Sequence, residues 1–391
     1  MEKLLKNVFC LIFLFVFSST VYSQQQNIEL EGVIIDDYGI TIPYADISIP
    51  NKYIGAISND EGRFRLLVST ENLNDTLEVS TLGFKTFKIV VKKYISEELD
   101  TIVLEEQVTE LSTVEILSNH VYVERSLKSL KENTVSNWHQ LNLLYRRASV
   151  EDNKSRFFVE QYMKVIDKGP SGNMKKIEVA QGRRSADYRM VKMKQHKHAI
   201  NFMLDHNPLR NGLSVKDYKW FKVGDSHYDG EDVLIIEGRE KKKTLRLYIG
   251  MKTYKIYKIE NSINNSIFVY KKNREGKLYL SYHNREFKTR KVPDEQLKKI
   301  LGYANQPIPE YFQLAYRHEV FVFGIEEDKK KFEVKNYGDF GKDMGDVKID
   351  YNEDFWKSFP FPPDTEFYLK IKSELESHYG VALETQFKAV N

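Results

Sequence analysis

The fold of the N-terminal part is indicated by residues 55–66, which read GAISNDEGRFRL. Asn59-Asp60-Glu61-Gly62 separates two short apolar runs. Asx residues followed by glycine are typical of a type I turn ending in a left-handed residue, because only glycine adopts positive φ without steric cost. A calcium loop is the alternative, but it needs six or more oxygen ligands, and Asp60 and Glu61 offer two carboxylates. The stretch therefore predicts the turn of a β-hairpin.

Short alternating segments lie on both sides of this turn. Between residues 27 and 106 the apolar runs are IELEGVII, ADISIP, RFRLLV, TLEVST, FKIVV and TIVL, and turn-forming residues separate them. Strands of this length with a turn signal every ~8–12 residues are typical of a β-sandwich. We therefore predict that residues 27–106 form a seven-strand β-sandwich.

The same residues carry a family resemblance. The segments GVIIDDYGITIPYADISI (32–49), IGAISNDEGRFRL (54–66) and LEVSTLGFKTF (77–87) resemble the carboxypeptidase-like regulatory domain, a transthyretin-like β-sandwich. Residues 80–84 occupy the place of the family's S-x-x-G-Y pattern, with Phe84 instead of tyrosine. Despite its name, this module is not the peptidase. The resemblance implies docking, adhesion or folding support in the bacterial cell envelope.

The first residues predict export. Two lysines precede an apolar run from Val8 to Phe17, and small residues follow, so we expect residues 1–23 to be a signal peptide. The single cysteine, Cys10, lies in that run, so the mature chain is expected to contain no disulfide and no thiolate. The run is shorter than the ~20 residues of a membrane-spanning helix, and no transmembrane segment is expected in the mature chain. The protein is expected to be periplasmic, associated with the outer membrane, or secreted.

Charge is distributed unevenly along the chain. Residues 27–106 contain 15 acidic and seven basic residues, a net charge of −8, whereas residues 107–391 carry +10. The pattern indicates either an acidic head on a basic body or two independently solvated surfaces. Basic runs at 239–243 and 329–331 are interpreted as solvated turns, with anionic lipid or polysaccharide as alternative partners. We expect no nucleic-acid partner for an exported chain.

Residues 107–140 are predicted to be a connector containing a strand and an amphipathic helix. Val123, Leu127 and Leu130 recur at helical spacing. Ser118 or Asn119 could cap the start of this helix. The stripe indicates a helix that packs on a neighbouring sheet.

Residues 141–391 are predicted to form an antiparallel β-rich domain. Most segments between 155 and 335 alternate with period two, and their short connections contain glycine. A helical stretch at 194–204 and a final helix at 366–379, stopped by Gly380, are expected to cover one face of the sheet. The fold class is therefore mainly β: an N-terminal sandwich, a connecting helix, and a larger curved antiparallel sheet with a few helices.

Part of this domain carries a second resemblance. Residues 228–261, YDGEDVLIIEGREKKKTLRLYIGMKTYKIYKIEN, are similar to the central strands of the half-barrel family that includes periplasmic lipoprotein carriers. Sheets of that family curl around a helix or an apolar ligand. The resemblance implies a lipid or lipoprotein ligand, or an envelope protein, as the partner.

Two groups of residues could bind zinc. His283 and Glu286 match the HxxE pair of zinc carboxypeptidases, with His378 as a distant third ligand, but residues three apart in a strand point to opposite faces. His196, His198 and His206, next to Asp205, could also hold zinc. Nearby lysines oppose a dication, and this group is interpreted as a solvated helical face. We assign no catalytic, cofactor-binding or metal-binding residue, and no cofactor.

Three functions are compatible with these patterns. The leading hypothesis is a non-enzymatic envelope protein whose β-rich domain binds an apolar or amphipathic ligand or a protein, because the predicted helices are too few to cover the sheet. The second is a purely structural or adhesive envelope protein. The third is a metal-dependent hydrolase. A long apolar cavity in the large domain would favour the first, and a filled interior the second.

Overall fold

The computed structural model describes residues 27–50, 52, 54–107, 118–170, 172, 174–191, 207–263, 265–334 and 343–390. Several predictions lie outside these residues: the signal peptide at 1–23, most of the connector strand, the helix at 194–204, and the group of His196, His198 and His206.

Seven strands form the N-terminal sandwich, as predicted. They are β1 (Asn27–Asp36), β2 (Asp46–Ile49), β3 (Ile54–Ile57), β4 (Arg63–Ser69), β5 (Thr76–Ser80), β6 (Phe87–Val90) and β7 (Thr101–Leu104), with helix α1 (Val91–Ser96) before β7. One sheet has the order β4-β1-β7 and the other the order β3-β2-β5-β6. Alternate side chains of β4, namely Phe64, Leu66 and Val68, are buried between the sheets, as period-two alternation requires.

The turn at 59–62 forms as predicted, but the hairpin does not. The amide of Gly62 donates to the carbonyl of Asn59 at 3.1 Å, and Gly62 has φ +74°. The flanking strands then separate, since β3 pairs with β2 and β4 pairs with β1 in the other sheet. The turn is therefore the corner at which the chain crosses between the two sheets. The turn residues fix only the local backbone conformation, whereas the packing of the two sheets decides with which strands β3 and β4 pair.

Ten antiparallel strands form one large sheet. They are β8 (His139–Glu151), β9 (Lys154–Asp167), β10 (Lys176–Arg184), β11 (Lys219–Tyr228), β12 (Glu231–Glu240), β13 (Lys243–Gly250), β14 (Ile256–Asn261), β15 (Ser266–Lys272), β16 (Leu278–Lys291) and β17 (Phe312–Glu326). Their order is β10-β9-β8-β17-β16-β15-β14-β13-β12-β11. The mainly β fold class and the large antiparallel sheet predicted from the sequence are thus confirmed.

Strand β8 was not predicted. It lies near the middle of the sheet, between β9 and β17. Nearly all of its residues are buried, because packed elements cover both faces, so its side chains do not alternate between apolar and polar. The period-two signal is therefore weak in HQLNLLYRRASVE.

Helix α2 (Asn119–Lys128) and the short helix α3 (Leu130–Asn133) cover one face of the large sheet. Tyr122 and Val123 are buried there, and Leu127 and Leu130 pack against the same core. We call this side of the sheet the α2 face. The predicted stripe is confirmed, although the helix breaks at Ser129 before it reaches Leu130.

The opposite side, which we call the sandwich face, carries the N-terminal sandwich and the C-terminal helices. These are α5 (Glu353–Ser358), α6 (Glu366–Tyr379) and α7 (Leu383–Val390), while α4 (Glu295–Tyr303) connects β16 and β17. The predicted helix at 366–379 is confirmed, with Thr365 as its N-cap and Gly380 in the left-handed conformation. Its inner side chains, including Tyr368, pack on Phe158 of β9.

The helices do leave part of the large sheet uncovered, as expected, but the sandwich occupies that area. Ile57 of β3 belongs to the same buried cluster as Leu144, Tyr282 and Phe321 of the large sheet. Among the described residues, no helix is long and apolar enough to cross a membrane.

Candidate functional site

The corner turn anchors the sandwich to the rest of the chain. The Asn59 side chain, fully buried, donates to the carbonyl of Pro363 at 2.9 Å. The carboxylate of Glu61 accepts the amide of Glu366 at 2.7 Å, at the first residue of α6. Asp60 forms an ion pair with Arg317 of β17. The turn thus binds another part of its own chain, and its two carboxylates are both occupied there.

Aromatic stacking extends this joint along the sandwich face. The ring of Tyr44 lies 4.3 Å from the ring of Tyr282, nearly parallel to it. The side-chain amide of Asn284 donates to the Tyr44 hydroxyl at 3.2 Å. Tyr44 has φ +60°, which is uncommon for a bulky residue and costs energy that its surroundings must supply. The stack and the hydrogen bond hold Tyr44 in this conformation.

A buried charge network lies beneath the joint. Glu319, fully buried, accepts Arg146 Nε at 2.6 Å, Arg317 Nη2 at 3.0 Å and the Tyr282 hydroxyl at 2.8 Å. Burial alone would raise the pKa of Glu319, but the two guanidinium groups outweigh it and hold the pKa at about 2. Arg317 therefore links the buried carboxylate of the sheet to Asp60 of the sandwich.

A second attachment lies at the other end of the sandwich. The amide of Gly83 donates to the carbonyl of His227 in β11 at 2.7 Å. Gly83 lies within the S-T-L-G-F segment (80–84) that carries the family resemblance. The sandwich is thus held at both ends, and a cleft lies between the two attachments.

The inner compartment of this cleft is mostly apolar and has a volume of about 210 Å³. The sandwich contributes Leu82 and Phe84 to its wall, and the large sheet contributes Tyr228, Tyr248 and Val269. Burial raises the pKa of Tyr228 above its ordinary value, so this ring stays neutral. The compartment can therefore take an aliphatic or aromatic group.

The outer compartment adjoins the inner one and is more polar, with a volume of about 340 Å³. Its lining includes Glu78, Asp229, Lys272 and Arg274. Asp46, Ser80, Tyr228 and Lys271 line both compartments.

An ion pair marks the boundary between the compartments. Lys271 Nζ lies 2.9 Å from Asp46 Oδ1, and both side chains are largely shielded from solvent. Burial alone would lower the pKa of Lys271, but the Asp46 carboxylate outweighs it and raises that pKa. The pair joins β15 to β2, so the boundary between the compartments is also a contact between the sandwich and the large sheet.

The HxxE residues do not come together. His283 stacks on Phe268 with ring centroids 4.1 Å apart, inside the core of the α2 face. Glu286 lies on the sandwich face, where it pairs with Arg317 at 3.2 Å. His378 lies on α6, also on the sandwich side, against the ring of Tyr379. Within the described residues, no three His, Cys, Asp or Glu side chains are arranged to hold a metal ion.

Sequence reasoning missed the residues that form the cleft. Asp46 and Lys271 are 225 positions apart, and nothing in either neighbourhood indicates the other. A lysine at an inward position of an aromatic strand, IFVYKK, is the one local signal, because a buried lysine requires a partner.

The family comparison agrees with the first resemblance. A family model of the CarboxypepD_reg-like domain matches residues 30–116, which include most of the sandwich. No curated protein matches the chain.

Several solved structures are similar to the chain at a distance. One is a putative outer membrane lipoprotein-sorting protein domain from Vibrio parahaemolyticus, with 9% identity, 55% of this chain and 96% of that chain covered, and a TM-score of 0.26. Another is a DUF1329 family protein from Desulfovibrio piger, with 9% identity, 54% and 92% covered, and a TM-score of 0.24. A third is MucB in complex with MucA(peri), with 10% identity, 56% and 60% covered, and a TM-score of 0.23. At such TM-scores these likenesses carry no argument about fold or ligand.

Proposed function

We propose that the protein is a non-enzymatic exported envelope protein that holds an amphipathic ligand between two domains. The sandwich (27–106) acts as a docking module, the connector (107–140) joins it to the β-rich domain (141–391), and the ligand occupies the cleft between them. The observation that carries this proposal is the pairing of an apolar compartment with a polar one across the Asp46–Lys271 boundary.

The volumes suggest the size of the ligand. Drug-sized ligands occupy pockets of roughly 300–1,000 Å³, and the inner compartment is smaller, at about 210 Å³. It suits one aromatic group or a segment of an acyl chain, and the remainder of a longer ligand, with its polar head, would extend into the outer compartment. The Lys271 ammonium could pair with an anionic head, provided that the head competes with Asp46 for it.

A fluorescent fatty acid, dansyl-undecanoate, tests this proposal. We expect its fluorescence to rise on binding to the purified full-length mature protein. Leu82→Trp should weaken binding about tenfold or more, because the larger ring fills the inner compartment and removes the space for several methylene groups, each contributing ~0.8 kcal/mol. Val103→Trp is the matched control, since Val103 is 46% exposed on β7, outside the cleft lining.

The boundary pair supplies a second arm of the test. The double variant Asp46→Asn/Lys271→Met keeps the shape of the pair and removes both charges. We expect it to lose binding of dansyl-undecanoate but to retain binding of an uncharged dansyl amide of similar length. Unchanged binding of the fatty acid by both this variant and Leu82→Trp, with thermal unfolding near that of the wild type, would exclude the cleft as the site.

A structural or adhesive role is the second candidate, and one observation favours it. The α2 face is filled by α2 and by large buried side chains such as Leu247 and Phe268, so this interior resembles an ordinary core. If dansyl-undecanoate does not bind, and native mass spectrometry of the purified protein finds no retained small molecule, the structural or adhesive role replaces the proposal of ligand binding in the cleft.

A further inference from the structure

Exposed apolar side chains concentrate at the connection between β16 and β17. We call residues 288–311 the tip. Tyr303 is 88% exposed, Val292 62%, Ile300 53% and Ile308 50%. Single exposed apolar residues are ordinary on protein surfaces, whereas a concentration of them marks a contact site.

Helix α4 presents part of this apolar surface as a rigid element. Leu297 and Leu301 face inward and pack on Phe312 and its neighbours. Ile300 and Tyr303 are three positions apart, so they share the outward side of the helix. The carboxylate of Asp294 accepts the amide of Leu297 at 2.8 Å and caps the helix. The exposed side chains are therefore held in place by a packed and capped helix.

The tip also contains exposed cations. Lys288, Arg290, Lys291 and Lys299 are exposed, and none of the four has an ion pair within the described part of the chain. The tip as a whole contains five basic and three acidic residues. Of the acidic residues, Asp294 caps α4 and Glu295 pairs with Lys298. The tip therefore carries a net charge of +2.

A groove beside the tip combines the same two properties. It has a volume of about 310 Å³ on the sandwich face, where β8, β16 and β17 meet. Lys288 and Arg290 line it together with Val150, Leu314 and Ala315. It therefore offers cationic groups and aliphatic surface in one depression.

We propose that the tip binds an anionic lipid surface. Tyrosine and aliphatic side chains favour the boundary between headgroups and acyl chains. Lysine and arginine next to them gain from the negative potential of anionic lipids. Charge complementarity selects this partner over a second copy of the chain, because a symmetric contact between two tips would place like charges opposite each other. The proposal is independent of the cleft and does not require a ligand there.

Vesicle co-sedimentation tests the proposal. The full-length mature protein is mixed with phosphatidylcholine vesicles that contain about one-third phosphatidylglycerol, and separately with phosphatidylcholine alone. We expect binding to the anionic vesicles that weakens as salt is added. Lys288→Ala/Arg290→Ala should reduce the partition coefficient about thirty-fold, because each cation near the surface contributes ~1 kcal/mol. Ile300→Ser/Tyr303→Ser should reduce it about tenfold or more.

A matched control separates the tip from general surface hydrophobicity. Tyr38 and Ile40 are 81% and 64% exposed on the sandwich, so Tyr38→Ser/Ile40→Ser removes a comparable apolar area elsewhere. It should bind the vesicles as the wild type does. The proposal is overturned if the wild-type protein does not bind anionic vesicles, or if the tip variants and the control variant bind them equally. It is also overturned if the only effect of the Ile300/Tyr303 substitutions is to dissociate a dimer, as measured by light scattering. Dansyl-undecanoate binding by the tip variants should stay unchanged, whichever result the cleft test gives.

Discussion

Replacing Glu319 with glutamine should reveal how strongly the buried charge network stabilises the fold. Glutamine keeps the size of the side chain but removes the charge between Arg146 and Arg317. These guanidinium nitrogens lie 2.6 and 3.0 Å from the carboxylate. The two buried guanidinium groups would then lose a carboxylate that both of them contact, and breaking a buried pair typically costs ~3–5 kcal/mol.

The magnitude also follows from the pKa. Glu319 has a pKa of about 2 in the folded protein, against ~4.3 in an unfolded chain. At ~1.4 kcal/mol per unit, the ionised carboxylate stabilises the folded state by about 3 kcal/mol at neutral pH. Because the folded pKa is depressed, this stabilisation is present above pH ~4.3 and is lost as the pH falls towards 2.

Urea unfolding followed by tryptophan fluorescence at pH 7 and at pH 3 measures both effects. Glu319→Gln should lower the free energy of unfolding by about 3 kcal/mol or more at pH 7. The free energy of unfolding of this variant should also decrease less between pH 7 and pH 3 than that of the wild type. Glu105→Gln is the control, since Glu105 pairs with Lys85 at an exposed position, and no resolvable change is expected. A Glu319→Gln protein that matches the wild type at pH 7 would refute this account of the network.

Two further substitutions probe the corner turn. Gly62→Ala should lower the free energy of unfolding by about 2 kcal/mol or more, because φ is +74° and a Cβ would lie 2.6 Å from the carbonyl of Ile34. Gly212 has a similar φ of +72°, but a Cβ there would meet no neighbouring atom. In thermal melts, Gly212→Ala should therefore lower the free energy of unfolding only by the backbone strain, about 1 kcal/mol. Asp60→Asn should weaken the pair with Arg317 and expose the joint to limited proteolysis. Cleavage of Asp60→Asn at the wild-type rate would show that the joint does not depend on this charge.

Local chemistry explains which elements could be predicted. The turn at Asn59–Gly62 and the end of α6 at Gly380 each depend on a backbone conformation that glycine adopts at low cost. Strand β13 alternates clearly because one of its faces is more solvated than the other. Strand β8 could not be recognised in the same way, since packing covers both of its faces.

The sequence by itself determined the mainly β class, the sandwich, and the helix at 366–379, because each depends on side-chain period and turn chemistry within a few residues. The tertiary structure alone decided that the sandwich covers the large sheet, that Glu61 meets the start of α6, and that Lys271 meets Asp46. These contacts join positions more than 200 residues apart. They form because charged groups and apolar faces gain partners as the chain packs, and no local pattern specifies which partner is within reach.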